Sequence, residues 1–137
     1  MNPDRIQAFF QNDRFAAHVG IELLESSPGR AKARLEVQEH HLNAVGVVHG
    51  AAIFSLADLV FAVASNSHGT VALGINVSVS FLASSRGGTL FAEAEEVSIN
   101  PKLATYAIRV HDERQRLIAL LQGTVYRKRE AIGGESP

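Results

Sequence analysis

Apolar residues recur along the chain with two different periods, and each change of period marks a new element. From Pro3 to Ala17, Ile6, Phe9, Phe10 and Ala17 fall on one side, with Asp4, Gln7, Gln11 and Arg14 elsewhere, which predicts a short amphipathic helix. Ile21 to Glu25 predicts a strand. After the turn residues Ser27-Pro28-Gly29, Ala31, Ala33, Leu35 and Val37 alternate with Lys32, Arg34, Glu36 and Gln38, giving a hairpin with one wet face. From Gly50 to Asn66 almost every position is apolar, and the length favours a helix over a strand. A helix apolar all round is expected to be enclosed by protein. Ser67-His68-Gly69 ends it, and period-two patterns resume. Leu73, Ile75, Val77, Val79 and Phe81 alternate with Gly74, Asn76, Ser78 and Ser80. Leu90 to Ile99 follows, with a register break at Glu95-Glu96 that predicts a bulge. Ala104, Tyr106, Ile108 and Val110 form a third strand, and Asp112 to Gln115 turn it into a fourth, Arg116 to Arg127.

Consecutive strands joined by short turns are antiparallel. A curved antiparallel sheet wrapped around one long central helix, with a short N-terminal helix, satisfies the burial pattern with the fewest assumptions. The expected class is α+β, as one domain over residues 1–130 with a flexible tail over 131–137.

Composition narrows the function. The 137 residues are 46 % hydrophobic with a formal net charge of −1, an ordinary core-forming composition that argues against nucleic acid or an anionic membrane as partner. Cysteine is absent, which removes disulfides, thiolate nucleophiles and cysteine metal sites. The longest largely apolar run, Ala51 to Ala64, is shorter than the roughly 20 residues a membrane span needs. The first residues lack the form of a signal peptide, so a cytoplasmic protein is expected. No nucleophile elbow, phosphate loop or H-E-x-x-H pattern occurs. His40, His41 and His49 have no carboxylate at helical ligand spacing, so neither a metal nor another cofactor is expected.

Asp58 stands out because it interrupts the most apolar segment of the chain, with Phe54 and Ala62 one turn away on either side. A buried carboxylate needs compensation. It can be paired across a subunit interface, or it can be a general base or nucleophile in a dry cleft, and the residues alone leave both open. Gly50 sits at the helix start, where N–H groups lack intrahelical partners, so it is a candidate oxyanion donor as well as a simple cap. Asn43 could hold water or substrate, or simply shape a turn.

Asn43, His49-Gly50, Phe54-Ser55-Leu56-Ala57-Asp58, Phe61-Ala62 and Asn66-Ser67 resemble the hotdog-fold acyl-CoA thioesterases of the PaaI (phenylacetic acid degradation) type. The resemblance covers residues 15 to 128 and is most specific from Asn43 to Gly69. It implies that Asn43, Gly50 and Asp58 surround a thioester, with His49 beside them. Two departures stand out. Ala51 replaces a second glycine after His-Gly, and Phe81-Leu82 leads into Ala83-Ser84-Ser85-Arg86 where the family often has Arg-Pro. Phe54, Phe61 and Ala51 are the candidate acyl-pocket residues, and Arg86, Lys102 and Arg127 are candidates for the CoA phosphates.

Gly50 and Asp58 stand eight residues apart, about 12 Å along a helix. Two antiparallel helices across a dimer axis could bring one subunit's glycine to the other's aspartate, and the resemblance implies the same arrangement, within a homotetramer. The expected activity is hydrolysis of an (aryl)acyl-CoA such as phenylacetyl-CoA. The alternatives on this fold are a hydratase or dehydratase and a non-catalytic acyl-CoA-binding module.

Overall fold

The computed structural model describes residues 2–134 and shows a six-stranded antiparallel sheet around one long helix. Two short helices come first, α1 (Pro3–Phe10) and α2 (Arg14–Val19). The single N-terminal helix expected from periodicity is broken at Gln11–Asp13. There Asp13 takes an extended conformation and its Oδ1 accepts the Ala16 N–H at 3.0 Å, capping α2. Strands β1 (Ile21–Ser27) and β2 (Arg30–Glu36) form the expected hairpin, and the long helix α3 spans Gly50–Asn66. Strands β3 (Thr70–Phe81), β4 (Thr89–Ile99), β5 (Leu103–His111) and β6 (Leu117–Ala131) complete the sheet.

The strand order is β1-β2-β4-β5-β6-β3, so β3 crosses to the far edge beside β6. The sheet curls over α3, whose Leu56, Ala57, Val60, Val63 and Ala64 are fully enclosed. Opposite them, Ala33, Leu35, Leu90, Ala92, Ile108, Val110 and Ile118 supply the inner face of the sheet. Phe61 lies in this core. A Cβ on Gly123 would come within 2.7 Å of its ring and one on Gly74 within 3.1 Å, so two glycines on neighbouring strands make room for it. Tyr106 meets the same ring edge-on at 5.9 Å.

Three expectations are corrected. The register break in β4 falls between Glu96 and Ser98, one residue beyond the place expected. In β3 the alternation is interrupted by a bulge between Gly74 and Asn76. A one-residue slip reverses which face every later side chain occupies, so Val77 and Val79 pack on the core while Leu73 and Ile75 face outward at 51 % and 59 % exposure. The third concerns the end of the chain. β6 runs to Ala131, Ile132 is buried, and its N–H donates to the Gly69 carbonyl at 3.1 Å, so the expected tail is packed at its start. Residues 135–137 of that tail lie outside the described residues. No helix among the described residues is long and apolar enough to cross a membrane.

Candidate active site

α3 begins at a loop that positions its first N–H groups one by one. His49 is the N-cap, extended in conformation, and its Nδ1 accepts the Ala51 N–H at 2.9 Å. The His49 carbonyl accepts from Ala52 and Ile53 at 2.9 and 3.2 Å. The Gly50 N–H takes no partner among the described residues. It therefore remains as a free donor at the positive end of a 17-residue helix with no acidic residue in its first turn. The histidine thus serves the helix start through its Nδ1.

The loop before the helix is self-tied. Asn43 Oδ1 accepts the Val45 and Val47 N–H groups at 3.0 and 3.2 Å, and the Asn43 N–H donates to the Val47 carbonyl at 2.8 Å. Its oxygen holds the loop in shape, which leaves the Nδ2 amide as the group open to a ligand. His41, buried nearby, uses both ring nitrogens on backbone. Nδ1 accepts the Gln38 N–H at 2.8 Å, and Nε2 lies 2.6 Å from the Val19 carbonyl. It supports the loop that carries Asn43, for its own carbonyl accepts the His49 N–H at 2.8 Å.

Asp58 does not lie in an enclosed interior. In the single chain α3 is uncovered along one stripe, where Ala51 and Asp58 are exposed and Phe54, Ser55 and Ala62 half-buried. The spacing 51, 55, 58, 62 is one face of a helix, and the expectation of a helix enclosed all round by its own chain fails on that face. The Asp58 carboxyl is nonetheless partly shielded. This desolvation, followed by the negative charge of Asp13 at the start of α2, raises its pKa above the ordinary aspartate value. Asp13 was not anticipated from the sequence, since only the packing of α2 on α3 brings the two carboxylates near each other.

The other candidates divide. Ala51 and Phe54 share the stripe with Asp58, whereas Phe61 is buried beneath the sheet, away from solvent. In its place the structure brings an unanticipated aromatic ring to the helix start. A Cβ on Gly50 would lie 3.2 Å from Phe81 Cζ, so the Phe81 ring stands directly over that glycine while remaining 55 % exposed. A groove of about 450 Å³ runs here, lined by Val47, Val48, Gly50, Ile53, Phe81 and Ser84 among others. The sequence signal was the Phe81-Leu82 pair at the strand end. Its direction depended on the β3 bulge. Arg86 is exposed on the linker between β3 and β4. Lys102 and Arg127 lie at the opposite end of the sheet, where Arg127 donates to the Lys102 and Asn100 carbonyls at 2.7 and 2.9 Å. β3 pairs Ala72 with Arg127 and Phe81 with Ala119, which puts Arg127 roughly 30 Å from the Phe81 end of its own subunit at ~3.4 Å per residue.

A free N–H at a helix N-terminus, an apolar groove beside it and a carboxylate of raised pKa on the same helix can polarise a carbonyl and activate a nucleophile. Comparison with known proteins agrees with that chemistry. The sequence profile described as "Thioesterase superfamily" matches residues 45–119. A protein of Archaeoglobus fulgidus named "Putative esterase" is 48 % identical over 122 residues, covering 88 % of this chain and 79 % of that protein. The acyl-coenzyme A thioesterase PaaI of Escherichia coli is 32 % identical over 130 residues, covering 94 % of this chain and 93 % of that one. The solved structure of the E. coli PaaI protein, from the phenylacetic acid degradation operon, superposes with a TM-score of 0.87 at 31 % identity, covering 90 % and 91 % of the two chains.

Proposed function

The chain belongs to the thioesterase superfamily, with the hotdog fold and a thioester hydrolase's activity, and from that premise we propose that it hydrolyses aryl-acyl-CoA thioesters at sites shared between two subunits. One observation carries the reading. The unpartnered Gly50 N–H and the uncovered Asp58 lie on one rigid helix, eight residues apart. About 12 Å of helix separates them, so neither can reach the other's reacting atom within one chain. An antiparallel pair of α3 helices brings Gly50 of one subunit opposite Asp58 of the partner subunit. β3 supports such a dimer: it is a 12-residue edge strand hydrogen-bonded on one side only, with Leu73, Ile75 and Phe81 exposed. A long apolar edge of this kind calls for a cover.

In the proposed reaction the thioester carbonyl oxygen accepts the Gly50 N–H, which stabilises the negative charge that develops on it. Asp58 of the partner subunit either takes a proton from the attacking water, or attacks the carbonyl to form an anhydride that water then opens. The C–S bond breaks, and CoA leaves as its thiol with the free acid as the second product. Asn43 orients the water or the acyl group through its Nδ2, and His49 holds Gly50 in place. Phe54 and Phe81 offer aromatic contacts to an aryl group, worth ~1 kcal/mol beyond area burial. The Ala51 methyl narrows the space near the carbonyl. The family resemblance favours a pair of such dimers.

The test is CoA release followed with 5,5′-dithiobis(2-nitrobenzoate). We expect kcat/KM for phenylacetyl-CoA to exceed that for benzoyl-CoA, whose ring abuts the carbonyl, and that for palmitoyl-CoA. A preference for either of those two would overturn the pocket. Tight binding without thiol release from any acyl-CoA would make the protein a binding module.

A further inference from the structure

His41 is a buried polar side chain that the reaction proposed above does not use. Its ring is bonded at both nitrogens, and both partners are backbone groups. Nδ1 accepts the Gln38 N–H at 2.8 Å, which closes the short turn Glu39–His41. Nε2 lies 2.6 Å from the Val19 carbonyl. A carbonyl only accepts, so Nε2 carries the hydrogen and donates it. Neither nitrogen is left for a metal or a substrate. The backbone of His41 is engaged as well. Its N–H donates to the Gln38 carbonyl at 2.9 Å, and its carbonyl accepts the His49 N–H at 2.8 Å.

The loop from His41 to His49 has two arms, bridged where Leu42 pairs with Val48, and Asn43 sits just inside that bridge. The arm after Asn43 is tied to the rest of the molecule through the Val48 N–H, which donates to the Ser85 carbonyl at 2.8 Å. The arm before it, residues 38–42, has the bond from His41 to Val19, made across 22 residues of chain. Its other hydrogen bonds among the described residues stay within the arm, or reach only Glu36 next to it and His49 on the opposite arm. Val19 is the last residue of α2, and α2 packs on α3. One imidazole therefore pins the free side of the Asn43 loop to the helical frame that carries Gly50. An apolar side chain of similar size would fill the space but leave the Gln38 N–H without its acceptor, a costly omission at a buried position.

We infer that His41 is a positioning residue of this site, which through its bond to Val19 fixes where the Asn43 amide stands relative to the Gly50 N–H. This rests on the part given to Asn43 in the thioesterase reading above, and it adds the residue that places that amide. His41 touches no reacting atom and acts through Asn43. A misplacement of about 1 Å at a reacting group can cost roughly 100-fold in rate, so a single buried hydrogen bond outside the site bears directly on turnover.

Two substitutions separate the contacts of the ring. His41→Asn sets an oxygen near the place of Nδ1 but stops short of Val19, whereas His41→Gln reaches as far as Nε2 with an amide that can donate there. Each is assayed by CoA release from phenylacetyl-CoA, alone and combined with Asn43→Ala, and circular dichroism melts check that each chain folds. His41→Asn should lower kcat roughly tenfold with KM within about twofold of the parent's, and His41→Gln should keep kcat within about threefold of the parent's. In the Asn43→Ala background His41→Asn should cost less than about twofold more, because the group it positions is already gone. Equal kcat in the two His41 variants overturns the assignment, as does the full loss persisting without Asn43, or an Asn43→Ala chain as active as the parent. A His41→Asn chain that does not fold where the parent is active makes the ring a requirement of the fold, and overturns it too. Failure of the parent to release CoA would instead overturn the thioesterase reading, so the two failures are distinguishable.

Discussion

Desolvation, reinforced by the neighbouring charge of Asp13, makes the folded chain hold the Asp58 proton more tightly than the unfolded chain does. Because the folded pKa is raised, the folded state binds more protons through that window, and stability falls as pH rises from the ordinary value of 3.8 through the folded value. Asp58→Asn removes this penalty. It should be at least as stable as the parent at pH 7 in urea melts, with the advantage shrinking as pH falls below the ordinary carboxylate range. The same substitution should lower kcat by roughly 100-fold or more, the typical contribution of a positioned acid–base group. In the parent, the acid limb of kcat/KM should lie above 3.8, in the direction of the shift. Turnover close to the parent's in Asp58→Asn would leave the aspartate a purely structural residue of the interface.

At the level of elements, α3 is anchored differently at its two ends. Its N-terminus depends on a single side chain, the His49 ring that accepts from Ala51. Its C-terminus is tied in several places. Asn66 Oδ1 accepts the Ala72 N–H at 2.9 Å, while the Ser67 Oγ accepts the Gly29 N–H at 2.7 Å and donates to the Ala64 carbonyl at 2.6 Å. Beyond it, Glu96 Oε1 accepts from Tyr106 Oη and meets His68 Nε2, both at 2.7 Å. Burial pushes the Glu96 carboxyl up, but those hydrogen bonds and the His68 and Arg127 charges bring it below its usual value of 4.5. The stability this contributes is present above that value and fades as pH falls below it. The reactive end of the helix is thus the more lightly held. His49→Ala should cost about 1 kcal/mol in chemical denaturation, the usual loss of an N-cap. It should also lower kcat, because the Ala51 N–H then competes with Gly50 for the carbonyl oxygen. His49→Asn should recover the stability, since a side-chain oxygen can accept the same N–H. Full activity in His49→Ala would show that the cap does not position the donor.

For the whole molecule, the question is whether one chain contains a complete site. Gly50→Pro tests this with little disturbance. Proline is tolerated at the first helical position and deletes only the N–H that the reaction uses. His49, at φ −63° and ψ 138°, already has the conformation a residue before proline prefers, and a Cβ at position 50 would meet only the edge of the exposed Phe81 ring, at 3.2 Å. Gly50→Pro and Asp58→Ala should each be inactive alone. Mixed after unfolding and refolding together, they should regain up to about a quarter of parental activity, since half the dimers are mixed and each mixed dimer has one intact site of two. Absence of rescue in dimers shown by mass spectrometry to be mixed, or an active monomer in sedimentation, would refute a shared site.

Periodicity and composition by themselves determined the order of elements, the antiparallel sheet and the central helix from Gly50 to Asn66, because local pattern and chain burial agree over most of the length. They also singled out Gly50 and Asp58, since a glycine at a helix start and a carboxylate in an apolar run are visible without knowing what packs beside them, whereas the places of Asn43 and His49 beside them came from the family resemblance. Other features needed the third dimension. The Asp13 cap that splits the first helix is a local side-chain bond that competes with an amphipathic pattern continuing through it. The β3 bulge turned Phe81 toward Gly50, and alternation alone cannot show a bulge when both faces of a strand carry apolar residues. Phe61, one turn from Asp58 by sequence, went into the core because Gly74 and Gly123, far apart in the chain, leave space for its ring. His41 meets Val19 only because the loop before α3 folds back against the end of α2, across 22 residues of chain. Contacts between residues distant in sequence depend on how the sheet curls, and that curl is a property of the packed molecule that no single segment carries.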